Sequence, residues 1–246
     1  MSALTSHLRK YTAAPVCHDI QINGQLIGLH DSGVLWWPDE ATLVVADLHL
    51  EKKPPAMPGA ASFCLPTIRA QRWKKLAGVM DAFDPARVIC LGDSFHDANG
   101  SDRLPVPYRA MLTTLQLGRE WIWVTGNHDP VAPVRLCGET VDKVTIGPLT
   151  FRHEPVEKIG TAAAAGEVCG HLHPAARVRR FGRSIRRPCF VTDGTRLVLP
   201  AFGALTGGLN VTDQAYGMIF RRRQYSVFLL GNDRLFPFTA SRLVGD

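Results

Sequence analysis

Short runs of apolar, mostly β-branched residues alternate with amphipathic stretches in the first half of the chain, and more short runs follow in the second half. Each run ends abruptly in polar residues, which predicts strands that are buried on both faces. The runs cover residues 42–46, 87–91, 121–125, 149–152, 167–169 and 196–199. Nearer the N-terminus, Ile20 and Ile22 precede Asn23-Gly24 and Leu26, which predicts a hairpin with a tight turn.

Two stretches between the first strands, residues 66–83 and 108–118, have the spacing of amphipathic helices, and Gly118 suits the end of the second. The water-facing side of the first helix is expected to carry Arg69, Arg72, Lys74 and Lys75. Strands that alternate with helices predict an α/β fold. The later strands follow one another through short turns, so we expect a second, mixed sheet packed on the first.

The 246 residues contain no internal repeat, low-complexity tract or long linker, so we expect a single domain over residues 1–246. With 46% hydrophobic and 20% charged residues, the composition excludes a disordered chain, a collagen-like rod and a disulfide-rich miniprotein. The six cysteines form no Cys-x-x-Cys pair, and no segment resembles an export signal or a membrane span. We therefore expect a cytoplasmic protein with reduced thiols and no membrane association.

Five of the predicted strands are each followed by residues that can bind a metal. The motifs are Asp47-Leu48-His49, Gly92-Asp93-Ser94-Phe95-His96-Asp97, Gly126-Asn127-His128-Asp129, His153-Glu154-Pro155 and Gly170-His171-Leu172-His173-Pro174. Taken singly, most of them are more typical of a surface turn or a buried structural histidine than of a metal site. Six of the nine histidines fall in these five motifs, however. Because the carboxyl ends of neighbouring strands open on one crevice, we expect these side chains to converge.

The number and type of candidate ligands favour two divalent ions. There are seven of them, too many for one tetrahedral site: Asp47, His49, Asp93, Asn127, His153, His171 and His173. Carboxylate, amide and imidazole ligands without cysteine suit Mn²⁺, Fe²⁺ or Zn²⁺, and a carboxylate such as Asp93 can bridge two ions. Two ions about 3.5–4 Å apart acidify a shared water and hold a phosphate for in-line attack. His128 is the candidate for assisting the leaving oxygen.

In this order, the five motifs resemble those of the calcineurin-like metallophosphoesterase superfamily. The resemblance implies an αββα sandwich of two mixed β-sheets flanked by helices, with a dinuclear centre at the strand ends. It assigns one ion to Asp47, His49, Asp93 and His173. The other ion is assigned to Asp93, Asn127, His153 and His171, and His128 would assist the leaving group.

The stretch from Gly92 to Ala98 separates branches of that superfamily. It lacks the second aspartate and the phosphate-binding arginine of the protein phosphatases, and it places His96 where that aspartate would stand. Gly-Asp-x-Phe-His followed by Gly-Asn-His-Asp resembles the double-strand-break-repair nucleases instead. That likeness implies a catalytic pair of His96 and His128. The alternative is that His96 only supports Asp129 or Asp93.

Longer strings resemble the ligase-associated DNA damage response endonucleases, the PdeM family. The resemblance extends from about Ile20 to Phe238, and it includes the strings around Asp47, His153 and His171. It implies a Mn²⁺-dependent DNA endonuclease that acts in DNA repair. It also implies a functional association with a DNA ligase and an Lhr-type helicase.

The positive charge of the chain is concentrated in its second half. The net charge is +6, and residues 151–246 contain 14 Lys and Arg against 7 Asp and Glu. Six arginines lie within eleven residues shortly after His173: Arg177, Arg179, Arg180, Arg183, Arg186 and Arg187. We expect them to hold successive phosphates of DNA that is single-stranded or has single-stranded regions, without reading bases. The alternative is a solvated hairpin, which is the preferred interpretation for Arg221–Arg223.

Three functions are compatible with these observations. The leading hypothesis is a dinuclear metal-dependent phosphodiesterase that cuts DNA. The second is a phosphoesterase for small nucleotides or cyclic phosphodiesters. The third is a DNA-binding or helicase-docking module with a vestigial metal site, which is disfavoured because no ligand of the set is missing.

Overall fold

Two mixed β-sheets packed face to face form the centre of the protein. The computed structural model describes residues 15–51, 65–180, 182–203 and 208–246, with the backbone alone for residues 65–69, 163 and 180. Within these residues, no helix is both long enough and apolar enough to span a lipid bilayer.

The first sheet has seven strands that follow one another in chain order. They are β1 (His18–Ile22), β2 (Gln25–Leu29), β3 (Leu35–Trp37), β4 (Thr42–Ala46), β5 (Arg87–Leu91), β6 (Glu120–Val124) and β7 (Glu139–Val141). The pairs from β1 to β4 are antiparallel, and those from β4 to β7 are parallel. Helix α1 (Leu65–Phe83) connects β4 to β5, and α2 (Val106–Gln116) connects β5 to β6. These crossovers bring the carboxyl ends of β4, β5 and β6 to one edge.

The second sheet is built mainly from the second half of the chain. Its strands are β8 (Lys143–Ile146), β9 (Leu149–Arg152), β10 (Glu167–Cys169), β11 (Ala175–Arg180), β12 (Arg183–Thr192), β13 (Leu197–Val198), β14 (Ser226–Leu230), β15 (Leu235–Thr239) and β16 (Leu243–Val244). The order across the sheet is β15-β14-β12-β13-β10-β9-β8, and β11 pairs with the first half of β12 and with β16. Strand β10 runs parallel to β9 and β13, while the other pairs are antiparallel.

Three apolar clusters hold the layers together. Between the sheets, Ile89 and Ile122 pack with Phe151 and Phe190. The outer face of the first sheet is covered by α1 and α2, which contribute side chains such as Trp73. The outer face of the second sheet packs on α3 (Gln214–Gly217) and the residues that follow it. Within the described residues, two helices therefore cover one side of the sandwich, and a four-residue helix lies on the other.

The strands with the strongest apolar runs match the prediction. Strands β4, β5, β9 and β10 have the predicted bounds, β6 begins and ends one residue earlier, and β13 covers the middle of the predicted run. The β1–β2 hairpin turns at Asn23 and Gly24, both with positive φ. All five described residues of β4 are buried, as expected for a strand covered on both faces.

The predicted water-facing side of α1 is wrong at two positions. Arg72 is buried, and its guanidinium donates a hydrogen bond to the carbonyl of His49. Lys75 donates to the carbonyl of Phe202 at 3.3 Å, with its ammonium 4.1 Å from the centre of that ring. Both cations meet main-chain carbonyls of loops that pack over the helix, which a helical pattern alone does not predict. Lys74 is exposed as predicted, and the side chain of Arg69 lies outside the described residues.

Candidate metal centre

Each predicted ligand follows the carboxyl end of a strand, and five of the seven have a left-handed backbone. Left-handed φ values occur at Asp47 (52°), His49 (43°), Asp93 (45°), His171 (68°) and His173 (45°). Such values are uncommon outside glycine and cost free energy, so they persist where the surrounding structure enforces them, often at functional sites. Half of the ten non-glycine residues with positive φ in the described parts of the chain are predicted metal ligands.

The first group of donor atoms belongs to Asp47, His49 and His173, which all lie within 4.8 Å of one another. Oδ1 of Asp47 is 3.1 Å from Nε2 of His173. Asp47 and His49 are buried, and His173 is half-buried. Three of the four residues that the resemblance assigns to one ion therefore converge.

The second group combines Asp93, Asn127, His153 and His171. Nε2 of His153 lies 3.5 Å from Oδ1 of Asp93 and 3.0 Å from Oδ1 of Asn127. Nδ1 of His171 is 3.1 Å from the same amide oxygen and 3.2 Å from Nε2 of His153. All four residues assigned to the other ion thus meet in one place.

Hydrogen bonds orient these ligands before any ion binds. Nδ1 of His153 is 3.0 Å from the carbonyl of Leu91, to which it must donate, so the lone pair of Nε2 points towards Asp93 and Asn127. Burial, together with the neighbouring His153, lowers the pKa of His171 and favours the neutral imidazole that a metal requires. Oδ2 of Asp47 accepts the backbone N–H of His171 at 3.1 Å, which ties the loop after β4 to the loop after β10.

Asp129 joins the loops that carry Asp93 and Asn127. Its buried carboxylate accepts backbone N–H bonds from Asp93 (2.8 Å), Phe95 (3.1 Å) and Gly126 (3.1 Å). Burial raises the pKa of Asp129 to about 6, and the charge of Asp93 adds to the effect. Because three main-chain donors already hold Asp129, its position does not require support from His96.

His96 and His128 lie side by side at the open face of the site. Both are exposed, and their rings are stacked with centroids 5.7 Å apart and 20° between planes. The ring of His49 is 6.4 Å from that of His96 and 5.9 Å from that of His128. Nε2 of His128 is 3.9 Å from Oδ2 of Asp93. Both histidines can therefore reach a group bound over the ligands.

The donor set fits two divalent cations. It contains two carboxylates, four imidazoles and one amide oxygen without a thiolate, a mixture that suits Mn²⁺, Fe²⁺ and Zn²⁺. Among the described residues, no hydrogen bond reaches the buried Oδ1 of Asp47, which leaves that oxygen available to an ion. A further close set of carboxylate and imidazole atoms belongs to Asp47, Asp93 and His153, and it shares Asp47 with the first group. A carboxylate oxygen of Asp47 and one of Asp93 thus lie within 4.8 Å of each other, where the two groups adjoin.

Comparison with known proteins identifies the family. The sequence model of the calcineurin-like phosphoesterases matches residues 41–188, more than half of the chain, and this range includes all seven predicted ligands. The chain belongs to the calcineurin-like phosphoesterase family. Its structure is similar to that of the nuclease MPE of Pseudomonas putida, with a TM-score of 0.66 and 24% sequence identity, covering 91% of this chain and 100% of that one. A comparison with curated protein sequences finds no match.

These findings confirm two predictions about the phosphoesterase. The likeness to the solved structure confirms the fold, two mixed sheets in a layered α/β sandwich. The family confirms a metal-dependent phosphoesterase.

Two residues of the phosphoesterase site were missed by sequence reasoning. Glu51 is buried, and its carboxylate accepts the backbone N–H of His96. Arg72 holds the carbonyl of His49 from α1. The alternation Asp47-x-His49-x-Glu51 could have drawn attention to Glu51. No sequence signal marks Arg72, because a charged residue on an amphipathic helix is normally solvated.

The six arginines of the phosphoesterase lie on the β11–β12 hairpin, which we call the arginine hairpin, and the five whose side chains are described differ in their surroundings. Arg177 is paired across the strands with Arg186, and both contact the carboxylate of Asp246, at 3.1 and 3.0 Å. Arg186 and Arg187 line a cavity of about 90 Å³ together with His173, so these two reach the edge of the metal centre. Arg179 and Arg183 are exposed, and the side chain of Arg180 lies outside the described residues.

The second arginine cluster of the phosphoesterase is distant from the ligands along the sheet. Arg221 borders a cavity with Thr161 and Thr195, which precede β10 and β13. The ligands His171 and His173 follow the opposite end of β10. Arg221–Arg223 are exposed, in agreement with a solvated surface.

Proposed function

We propose that the protein is a dinuclear, Mn²⁺-dependent DNA endonuclease that acts in DNA repair. One observation carries the proposal: seven candidate ligand side chains from five strand ends converge close to the stacked rings of His96 and His128. The likeness of the fold to that of the nuclease MPE supports the same class of reaction. The carboxylates and imidazoles of the donor set are compatible with Mn²⁺.

The residues of the site would have two roles, metal binding and proton transfer. Asp47, His49, Asp93 and His173 would hold one ion, and Asn127, His153 and His171 would hold the other together with Asp93. Two bound divalent ions supply Lewis acidity that activates water and neutralises phosphate charge. His128 is exposed beside Asp93 and would give a proton to the leaving oxygen. His96, stacked beside it, is the second candidate for that role.

The surroundings of the site favour a polymeric substrate. Asn127, His96 and His128 are exposed, so the ligands lie at a surface that a nucleic-acid strand can cross. Arg186 and Arg187 border the cavity next to His173, where they can hold a neighbouring phosphate. Contacts of this kind carry no base information, so we expect cleavage with little sequence specificity.

The test uses DNA substrates with and without ends. Full-length protein is stripped with a chelator, reloaded with Mn²⁺, Fe²⁺, Zn²⁺ or Mg²⁺, and incubated with circular single-stranded DNA, supercoiled plasmid and linear duplex. We expect Mn²⁺-dependent cutting of the circular single strand, which only an endonuclease can open. Asp93→Asn and His128→Ala should each lower the rate at least about 100-fold. The matched controls are Asp39→Asn and His18→Ala, which change exposed residues away from the site. Absence of cutting with every ion, or wild-type cutting by Asp93→Asn, would overturn the proposal.

Salt dependence separates a nuclease from an enzyme for small phosphodiesters. Affinity for a long strand should fall steeply with salt, with a slope of log K against log salt of about −0.7 for each phosphate contacted. Hydrolysis of bis(4-nitrophenyl) phosphate should change little over the same range. A flat response on long DNA would favour the small substrate.

The association with a DNA ligase and an Lhr-type helicase is proposed on the resemblance of the sequence alone. Affinity purification of the tagged full-length chain from native cells, followed by mass spectrometry, tests it. Recovery of neither enzyme, under conditions that retain known weak complexes, would remove this part of the proposal.

A further inference from the structure

We propose that a second site, separate from the metal centre, binds an unpaired stretch of the nucleic-acid strand and stacks one base on Phe236. The site is a cleft between the arginine hairpin and the β14–β15 pair. This inference rests on the proposed nuclease function and adds to it a location for the flanking strand.

The cleft has the size and floor of a ligand site. Its volume is about 630 Å³, within the range of about 300–1,000 Å³ that is usual for small-molecule pockets. Val178, Ile185, Leu229 and Phe238 give it an apolar floor. Ile185 is 55% exposed although it faces these apolar neighbours, so the floor is open to an occupant.

Phe236 presents a fixed aromatic surface in this cleft. Its side chain is 42% exposed. The ring packs against the main chain at Gly231, where an added Cβ would lie 2.6 Å from a ring carbon. An aromatic ring held against the backbone and open to solvent offers a face to any base, which is how single strands are bound without sequence preference.

The rim of the cleft carries the charge that a phosphate chain requires. Arg179, Arg187 and Arg242 line it, against a single carboxylate from Asp233. That carboxylate lies 3.7 Å from Arg234, whose guanidinium is 5.4 Å from the centre of the Phe236 ring. Cations around an exposed aromatic ring match the phosphates and bases of one strand. An apolar protein segment would leave these cations without partners.

Arg187 connects the cleft to the metal centre. It lines the cleft and also the small cavity next to His173. A strand whose phosphate lies over the metal ligands can therefore continue past Arg187 to Phe236. Bases in a duplex are stacked on one another and cannot enter, so the cleft selects strands with an unpaired flank.

The experiment measures binding of a fluorescein-labelled twelve-nucleotide strand with phosphorothioate linkages, which resist cleavage, to the Mn²⁺-loaded full chain by anisotropy. Phe236→Ala should raise the Kd about 5- to 100-fold, while Phe236→Tyr, which keeps an aromatic face, should stay within about 2-fold of the wild type. Arg242→Ala should reduce the slope of log K against log salt by about 0.7. Leu117→Ala and Arg222→Ala are the matched controls, because both residues are exposed and neither lines the cleft.

Each result has one meaning. Wild-type affinity in Phe236→Ala, with an unchanged unfolding temperature, overturns the inference. Equal losses in Phe236→Ala and Phe236→Tyr also overturn it, because stacking would not be the cause. If Phe236→Ala binds DNA normally but loses a protein that co-purifies with the wild type, the cleft is a protein-docking site and the inference is wrong. If the wild type hydrolyses bis(4-nitrophenyl) phosphate but neither binds nor cuts any DNA, the proposed function itself has failed.

Discussion

A single methyl group added at Gly126 should disable the metal centre. Gly126 follows β6 and packs directly against the loop after β5. A Cβ at this position would lie 2.3 Å from both the backbone nitrogen and Oδ1 of Asp93, and 2.7 Å from Oδ1 of Asp129. Two of these three atoms belong to a ligand, and Asp129 holds the same loop.

The displacement that the added methyl group would impose on Asp93 follows from these distances. Real Cβ atoms do not approach heavy atoms closer than 3.0 Å, so Asp93 would have to move by about 0.7 Å. Ligands and catalytic groups must keep their positions within about 0.5 Å. A misplacement of 1 Å costs about 100-fold in rate, so we expect Gly126→Ala to lose at least about 10-fold in both Mn²⁺ affinity and hydrolysis of bis(4-nitrophenyl) phosphate.

Calorimetric Mn²⁺ titration is the deciding assay, since it reads the site without relying on turnover. Gly78→Ala is the matched control, because Gly78 lies in α1 with no atom within 4 Å of an added Cβ. That control should bind Mn²⁺ normally and gain about 0.5–1 kcal/mol in stability. Two Mn²⁺ sites of wild-type affinity in Gly126→Ala would show that the packing of the two loops does not fix Asp93.

Three further outcomes are expected. Glu167→Ala should lower the free energy of unfolding by about 3–5 kcal/mol, because it leaves the buried guanidinium of Arg196 without its carboxylate partner. Urea titration measures this loss, and Glu120→Ala, which removes an exposed ion pair, should cost at most about 1 kcal/mol in that assay. Mn²⁺ at about 100 times its Kd should stabilise the protein by about 2.7 kcal/mol, seen as a rise in Tm that Asp47→Asn abolishes. Burial lowers the pKa of Lys75 to about 8, below its ordinary value of 10.5. Between these pH values the unfolded chain binds more protons than the folded chain, so the free energy of unfolding should rise with pH there, by about 1–3 kcal/mol. A Lys75→Met variant that shows the same rise in urea titrations at pH 8 and 10 would contradict this assignment.

The parts of the fold that sequence could predict are those where one local rule decides the structure. Strands β4 and β5 are short apolar runs covered on both faces, so their bounds follow from composition. Parallel strands joined by helices bring their carboxyl ends together, so the meeting of Asp47, Asp93 and Asn127 could be expected from order alone.

Other features depend on contacts between distant segments. Strand β12 has three arginines and a proline among its first six residues, so its apolar run is confined to residues 189–191, and its full length is defined by pairing with β11, β13 and β14. The burial of Arg72 depends on the carbonyl of His49, 23 residues away. The contact of Arg177 and Arg186 with Asp246 depends on the hairpin, because the antiparallel register places these two arginines opposite each other.

The left-handed backbone at five ligand positions restricts how this centre can change over evolution or in the laboratory. Aspartate, asparagine and histidine tolerate positive φ better than most side chains, whereas β-branched and bulky residues do so poorly. The accessible variants therefore exchange imidazole, carboxylate and amide with one another. Replacing any of these five residues with a β-branched or bulky side chain would strain the loop that carries it, so the main chain restricts the choice of donor group at each of these positions.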